Sequence, residues 1–220
     1  MADKNQPATD RPARRITASP QKRGVATKGK ILTAATKLFA DNGYEGVSVD
    51  QVAKAADVRF SLIAYHFGSK EELWQAVVDD IYAQVDAIIA PASDDIAALP
   101  ARDALRVFLS RYVEALHKVP AYPRINVLEG ALDTSRSRYL RDQHISRHHG
   151  EARHTVFRQD ILDLLPPIDP SMLFLLVIGA AQIPYVLTQE IRESHGYDFG
   201  KKAMIAPHVD NLMILLTGEK

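Results

Sequence analysis

The chain contains 220 residues, of which 46% are hydrophobic and 25% are charged, and its formal net charge is zero. That balance is typical of a folded globular protein and excludes collagen-like and intrinsically disordered chains. Cysteine is absent, which excludes disulfides, thiolate nucleophiles and cysteine-based zinc sites.

The first 26 residues are polar, basic and interrupted by proline, which predicts a disordered arm. Within residues 1–30, eight Lys or Arg side chains stand against two Asp side chains. Basic arms often bind polyanions by releasing counterions, so a nucleic-acid partner is favoured, with a solvated leader as the equal alternative. The arm lacks the apolar stretch of a secretory signal, and we therefore expect a cytoplasmic protein.

Four helices are predicted in the part of the chain that follows the arm. Apolar residues at helical spacing place them over 27–42, 49–56, 60–67 and 70–88. A serine followed three residues later by Gln or Glu predicts a capping box before two of them: Ser48 with Gln51, and Ser69 with Glu72. Asp57 and Val58 form the predicted turn between the second and third helices.

Amphipathic helices follow, and proline-rich breaks separate them. They are predicted over 101–118, 122–134, 136–164, 171–194 and 199–217. Pro184 predicts a kink in the fourth of these. The most apolar run, residues 172–187, is shorter than the roughly 20 residues of a membrane span, so it is interpreted as a buried core helix and no membrane partner is expected. No run of alternating residues indicates a strand, and the predicted fold class is all-α.

Three short helices within about forty residues, the last two joined by a tight turn, are typical of a helix-turn-helix unit. In such a unit the last helix enters the major groove of DNA. Ile63 and Phe67, four residues apart, are expected to share the inward face of the helix over 60–67. The other side chains of that helix are therefore the candidates for DNA contact.

Four ordered motifs occur between residues 27 and 74. They are Ile31-Leu32-x-Ala34-Ala35-x-x-Leu38-Phe39, Gly43-Tyr44, Val47-Ser48-Val49-x-x-Val52-Ala53 and Tyr65-His66-Phe67-x-Ser69-Lys70-Glu71-Glu72-Leu73. In this order they resemble the DNA-binding domain of the TetR (tetracycline repressor) family of bacterial regulators. The resemblance covers roughly the N-terminal third of the chain beyond the arm.

The resemblance implies that Tyr65 and Lys70 contact phosphates, that Ser48 caps the second helix near the DNA backbone, and that the third helix reads bases. The predicted DNA-binding residues are Lys28, Ser48, Arg59, Phe60, Ser61, Leu62, Ala64, Tyr65, His66 and Lys70. Residues 59–62 replace the family's common Ser-x-Gly-Thr opening, and Ala64 stands where an aromatic residue is frequent, so no operator sequence is predicted. Arg59 is expected at a guanine edge or a phosphate, and Ser61 and Leu62 near bases.

The resemblance also implies three regions: a basic arm over 1–26, a helix-turn-helix domain over 27–72, and a ligand-binding and dimerisation domain over 73–220. A helical bundle over 101–194 has an apolar interior suited to a small molecule. The candidate lining residues, each with a plain core role as the alternative, are Phe108, Tyr112, Leu116, Leu128, Tyr139, Phe157, Leu176, Gln182 and Tyr185. Pairing of the last two helices across a two-fold axis is expected to bury Leu175, Ile178, Leu212, Met213 and Leu216.

The predicted function is that of a repressor that binds a palindromic DNA operator as a homodimer and is released by a small-molecule inducer, without a cofactor. A DNA-binding regulator that takes no small molecule and a helical metalloenzyme are the alternatives. The metal alternative depends on a histidine-rich stretch, but interleaved arginines oppose a cation there, so a solvated helix face is favoured and no metal site is predicted. No nucleophile motif is found and no enzymatic activity is predicted. The stretch comprises His144, His148, His149, Glu151 and His154, with Arg141 before it and Arg147 and Arg153 within it.

Overall fold

The computed structural model describes residues 20–90, 96–147, 150 and 158–218. The described residues form helices and no strand, which confirms the predicted all-α class. A π-helical turn, Arg141–Ile145, continues the seventh helix, and a 3₁₀ turn, Lys202–Met204, precedes the last. The α-helices are α1 (Pro20–Asn42), α2 (Val49–Ala56), α3 (Phe60–Phe67), α4 (Lys70–Ile89), α5 (Ala101–Lys118), α6 (Ala121–Gly130), α7 (Ser135–Leu140), α8 (Gln159–Leu162), α9 (Pro170–Val186), α10 (Thr188–His195) and α11 (Ile205–Thr217).

Serine capping boxes begin α2 and α4, as predicted. The Ser48 hydroxyl accepts from the Gln51 backbone N–H at 3.2 Å, and the Gln51 side chain accepts from the Ser48 N–H at 2.6 Å. Ser69 and Glu72 make the same reciprocal pair at 3.1 and 2.8 Å. Each box satisfies two backbone donors that a helix start leaves open, so both helices begin where the sequence predicts.

The helix α4 belongs to two packing layers. At its N-terminal end it packs with α1 and α3, where the buried rings of Phe39 and Trp74 fill the small core. Further along it packs on α5, α6 and α7, where Ile81, Tyr82 and Val85 are buried. Beyond these, α11 lies against α5 and α9. The unit formed by α1, α2 and α3 is therefore joined to the rest of the chain by the continuous helix α4 and by the packing of α1 on α6.

The first helix starts seven residues earlier than predicted. It begins at Pro20 rather than at Thr27, so residues 20–26, which were predicted to be part of the arm, are helical. Proline is tolerated in the first helical turn because its missing N–H has no partner there in any helix. The Lys, Arg, Gln and Ala side chains that follow have good helix propensity, and the sequence interpretation gave too much weight to the prolines and the charge.

The single helix predicted over 136–164 is broken. The chain enters α8 through Arg158, whose backbone is extended (φ −60°, ψ 141°). The guanidinium of Arg158 donates to the backbone carbonyls of Ile96, Ala97 and Leu99 at 3.0 to 3.2 Å. These hydrogen bonds hold the Arg158 side chain against a segment that is distant in the sequence. The helix predicted over 122–134 is also shorter, because α6 ends at Gly130 and a new capping box at Thr134 starts α7.

The helix predicted over 171–194 divides into α9 and α10, which meet at Leu187 with a bend of 81°. Pro184 lies inside α9, so the break comes three residues later than the predicted kink. The Thr188 hydroxyl donates to the carbonyls of Pro184 and Tyr185 at 3.2 and 3.1 Å, which satisfies acceptors left open at the end of α9. Among the described helices none alone is long and apolar enough to cross a membrane; α9 and α10 reach that length and hydropathy only as a pair, across the bend.

Candidate nucleic-acid interface

The helix α3 has one buried face and one exposed face. Ile63 and Phe67 are 2% and 7% exposed and pack into the core with α2 and α4, as predicted. On the other side, Phe60 is 53% exposed and Tyr65 is 81% exposed. Large aromatic side chains held in water by a rigid helix indicate a contact surface for another molecule.

A tight turn sets the direction of α3. Asp57 ends α2 in the left-handed conformation, with φ 53°. Its backbone N–H donates to the Lys54 carbonyl at 3.2 Å, and the N–H of Val58 donates to the Ala53 carbonyl at 3.0 Å. Three residues therefore separate two eight-residue helices. This is the compact arrangement that the helix-turn-helix prediction requires.

The turn between α3 and α4 depends on a glycine. Gly68 has φ 76°, a conformation in which a side chain is strained. A Cβ atom at this position would also clash with the carboxylate of Glu72, which caps α4. The turn places the first residue of α4, Lys70, next to the end of α3.

All ten predicted DNA-binding residues lie among the described residues, and none of them is buried. His66 and Lys70 are partly exposed, and the Tyr65 and His66 rings meet edge to face at 5.0 Å. The ammonium of Lys28, on α1, lies 5.7 Å from the centre of the Phe67 ring, which brings it to the α3 end of the unit. The exposed residues are Lys28, Ser48, Arg59, Phe60, Ser61, Leu62, Ala64 and Tyr65.

Tyr44 lies beside the predicted phosphate contact Lys70, and the sequence analysis assigned it no role. Its ring stacks on Phe39 at 5.9 Å and meets the edge of Trp74 at 6.5 Å. Two cations lie over the same ring, the Lys70 ammonium at 4.0 Å and the Arg136 guanidinium at 3.8 Å from its centre. Burial raises the pKa of the Tyr44 phenol above its usual value, although Arg136 acts in the opposite direction, so the phenol is neutral at physiological pH. The Gly43-Tyr44 motif marks this residue, but no local signal reveals its partner Arg136.

This three-helix unit also matches known proteins. Residues 31–77 fit the sequence profile described as bacterial regulatory proteins of the tetR family. Over these residues the chain is similar to the tetR family. The resemblance drawn from the four motifs is therefore confirmed.

Proteins similar to this chain include regulators with names and solved structures. The HTH-type transcriptional repressor NicS of Pseudomonas putida is 37% identical over 71 residues, 32% of this chain and 34% of NicS. The structure of HlyIIR, a hemolysin II transcriptional regulator, superposes with a TM-score of 0.68 at 18% identity and covers 90% of this chain and 99% of that one. FadR of Bacillus subtilis, solved with stearoyl-CoA, gives a TM-score of 0.63 at 18% identity over 87% and 99% of the two chains.

The chain spans 34% to 65% of the length of the first three curated relatives it matches. The structural likeness covers almost the whole of HlyIIR and FadR, so the tetR-family fold extends through the second half of this chain.

Several predicted ligand-binding residues lie together in the second half of the tetR-family fold. Tyr112, Leu116, Gln182 and Tyr185 are buried. The side-chain amide of Gln182 donates to the Tyr112 hydroxyl at 2.5 Å, and Phe108 stacks on Tyr112 at 6.2 Å. Burial raises the pKa of Tyr185 to about 12, and its hydroxyl is without a hydrogen-bond partner among the described residues.

Other predicted ligand-binding residues are not part of this group. Leu128 and Leu176 are 43% and 53% exposed, because α6 and α9 present these positions to the surface. Tyr139 lies beside Trp74 instead, and its hydroxyl donates to Asp79 at 2.8 Å. Phe157 lies outside the described residues.

Hydrogen bonds extend the interior group toward α4. Tyr122, on α6, bonds to Tyr112, and the Tyr82 hydroxyl of α4 donates to Asn126 at 2.9 Å. The Tyr82 and Tyr122 rings meet edge to face at 5.2 Å. Burial raises the pKa of all three tyrosines well above the usual value. The cluster formed by these tyrosines is therefore polar but uncharged.

The histidine-rich stretch has a structural contact at its first member. His144 is buried, stacks on Tyr82 at 4.4 Å, and its Nε2 lies 2.8 Å from an oxygen of Asp79. It thereby joins the π-helical turn to α4. His148, His149, Glu151 and His154, which the metal alternative requires, lie outside the described residues.

The predicted dimer face of α11 is wrong in its register. Leu212, Met213 and Leu216 are 3%, 1% and 5% exposed and pack inside their own chain. Because α11 packs on α5 and α9 through these residues, the opposite side, with Ile214 and Leu215, faces outward. Leu175 on α9 is exposed, as a dimer contact requires, and Ile178 is partly exposed. The run over 172–187 is likewise not fully buried, because Met172, Leu175 and Leu176 are each more than half exposed.

Proposed function

We propose that this chain is a transcriptional repressor that binds a palindromic operator as a homodimer and leaves it when a small molecule binds its second half. The observation that carries the proposal is the exposed face of α3, opposite the buried Ile63 and Phe67. We assign residues 27–72 to DNA binding and residues 73–220 to effector binding and dimerisation, with α4 shared at the boundary.

The shape and chemistry of α3 suit the major groove. An α-helix of about 10–12 Å diameter fits a groove about 12 Å wide. Arg59 and Ser61 supply hydrogen-bond donors for base edges, and the exposed Leu62 suits a thymine methyl group. Tyr65 and Lys70 supply donors for phosphate oxygens at the C-terminal end of the same helix.

An unpartnered apolar surface supports a dimer. Met172, Leu175 and Leu176 of α9 and Ile214 and Leu215 of α11 are exposed, with Leu215 at 66%. Symmetric oligomers bury a self-complementary patch of this kind against a second copy. A two-fold dimer presents two copies of α3, which explains a palindromic operator.

The interior of the second half supports effector binding. Buried Tyr112 and Gln182 offer polar anchors inside an apolar bundle, the usual setting of a small-molecule site. The Tyr185 hydroxyl, which has no hydrogen-bond partner among the described residues, offers another polar anchor. An effector that fits a conformer with a different separation of the two α3 helices shifts the population away from DNA.

Selection of bound fragments from the source genome, followed by fluorescence anisotropy on the selected duplex, tests the proposal. We expect affinity that falls steeply with salt, because phosphate contacts release counterions. Tyr65→Phe removes one exposed hydroxyl and is expected to weaken binding about fivefold, the effect of about one hydrogen bond. Tyr197→Phe, at another exposed tyrosine, is the matched control and should bind as the unmodified chain does. No preference for any duplex at low ionic strength would overturn the proposal.

The effector part has its own test. Compounds are added to the preformed complex with DNA, beginning with stearoyl-CoA because a protein of this fold was solved with it. We expect a compound that releases DNA, and the release should be lost when Gln182 is replaced by Leu. A compound that tightens the complex would indicate corepression, and a full metabolite screen without effect would favour a regulator that takes no small molecule.

A further inference from the structure

We propose that Tyr44 is a positioning residue that holds the Lys70 ammonium for a DNA phosphate, and that Arg136 from the second half of the chain holds Tyr44. This inference rests on the proposed function, because it assigns a role to Lys70 on DNA. The juxtaposition that carries it is one ring with two cations over it, one from the DNA-binding unit and one from α7.

The position of Lys70 at the start of α4 leaves its ammonium without stabilisation from its own helix. It is the first residue of α4, where the positive end of the helix dipole disfavours a cation. Its side chain is also long and flexible, so fixing it on DNA costs conformational entropy. The face of an aromatic ring attracts an ammonium, and Tyr44 lies 4.0 Å from it. The ring therefore offsets the dipole and orders the side chain before DNA arrives.

The contact leaves the ammonium able to bind a phosphate. An ammonium has three N–H donors and no acceptor atom. The ring occupies one side of the group, and Lys70 keeps partial exposure to solvent. The remaining donors are free to point toward a phosphate oxygen beside α3.

Arg136 fixes the ring from the other domain. It is 8% exposed, and its guanidinium lies 3.8 Å from the centre of the Tyr44 ring. Its Nε donates to Glu129 of α6 at 3.4 Å, and its Nη2 donates to Glu45 at 3.3 Å. Because Glu129 is 3% exposed, the guanidinium is held where it is by a buried carboxylate. A movement of α6 or α7 would therefore move Arg136, and through the Tyr44 ring it would change the position of Lys70.

Two further contacts tie the same regions together. Arg124 of α6 donates to Asp41 at the end of α1 at 2.8 Å, and Ser135 of α7 donates to Glu71 of α4 at 3.1 Å. Like the Tyr44 contact, they lie on the boundary between the two halves. Arg136 is the cation from the second half that lies over the Tyr44 ring.

The test compares Lys70→Met, Tyr44→Leu, Tyr44→Phe and the double variant Tyr44→Leu/Lys70→Met by anisotropy over a range of salt concentrations. Lys70→Met should weaken binding about tenfold per subunit and reduce the salt slope by about 1.8 for two lost phosphate contacts per dimer. Tyr44→Leu should reproduce the loss of slope, the double variant should add little to either single change, and Tyr44→Phe should restore binding because its ring is kept.

The outcomes distinguish the assignment of Lys70 to a phosphate contact from the role of Tyr44 in positioning it. If Lys70→Met leaves affinity and slope unchanged, the assignment of Lys70 in the proposed function is wrong. If Lys70→Met has its effect and Tyr44→Leu changes affinity without changing the slope, only the role of Tyr44 is wrong.

Proton NMR of the full chain tests the role of Arg136 without DNA. A lysine side chain 4.0 Å from a ring centre should give upfield-shifted methylene signals, identified by their loss in Lys70→Met. The signals should vanish in Tyr44→Leu, persist in Tyr44→Phe and move in Arg136→Lys. Signals that stay in place in Arg136→Lys would overturn the part of the proposal that concerns Arg136.

Discussion

Removal of one partner of the buried pair between Arg136 and Glu129 should destabilise the fold strongly. In Arg136→Met, the Glu129 carboxyl group loses the guanidinium 3.4 Å away. The carboxylate is 3% exposed, and its second oxygen already has no hydrogen-bond partner among the residues that the structure describes. An uncompensated buried charge of this kind costs about 3–5 kcal/mol. The lost contact with Glu45, whose side chain is 81% exposed, adds at most about 1 kcal/mol.

Urea unfolding followed by circular dichroism, at one fixed protomer concentration, measures this cost. The matched variant is Arg136→Met combined with Glu129→Leu, which removes both charges and should recover most of the loss, to within about 1–2 kcal/mol of the unmodified chain. Equal m-values would show that the same surface unfolds in each protein. A loss below about 1 kcal/mol in Arg136→Met, or a double variant less stable than the single one, would refute the reasoning.

Three further predictions concern other elements. Ser69→Ala removes the cap of α4 and should lower the free energy of unfolding by about 1 kcal/mol, whereas Ser61→Ala at an exposed site should change it by less than about 0.5 kcal/mol; urea titration distinguishes them. Leu215→Glu should convert the proposed dimer to a monomer in sedimentation velocity, and a dimer that survives would exclude this face of α11. Burial lowers the pKa of His208 below its usual 6.5, so the folded chain binds fewer protons than the unfolded chain. The contribution of His208 to the free energy of unfolding should be complete above about pH 6.5 and should fall as the pH is lowered further. A His208→Gln variant whose free energy of unfolding falls as steeply from pH 7 to 5 would contradict this.

The first part of the fold is readable from the sequence because its signals are local. Each capping box spans four residues, and the bounds of α2 and α3 agree with the prediction. The inward and outward faces of α3 follow from helical spacing alone, since Ile63 and Phe67 are its only buried residues. The exposed side of α3, with most of the candidate DNA-binding residues, therefore follows from the sequence, while DNA contact by these residues stays a prediction.

The second half is less readable because distant contacts decide it. The break before α8 comes at Arg158, whose guanidinium binds carbonyls some sixty residues away along the chain. The helix α11 is apolar on most of its surface, so its sequence does not tell which side packs on α5 and which side, with Leu215, faces outward. The contact between Tyr44 and Arg136 is equally difficult to predict, because no feature of the sequence near either residue indicates the other as its partner.

Gly68 and Glu72 constrain each other as substitution sites. Any side chain at position 68 meets the Glu72 carboxylate, so a larger residue there would have to displace the group that closes the start of α4. A shorter residue at 72 would make space but would leave the Ser69 N–H without its acceptor. Neither position can therefore vary freely alone. A change at both would remove the clash, but the positive φ at position 68 would still strain any residue other than glycine.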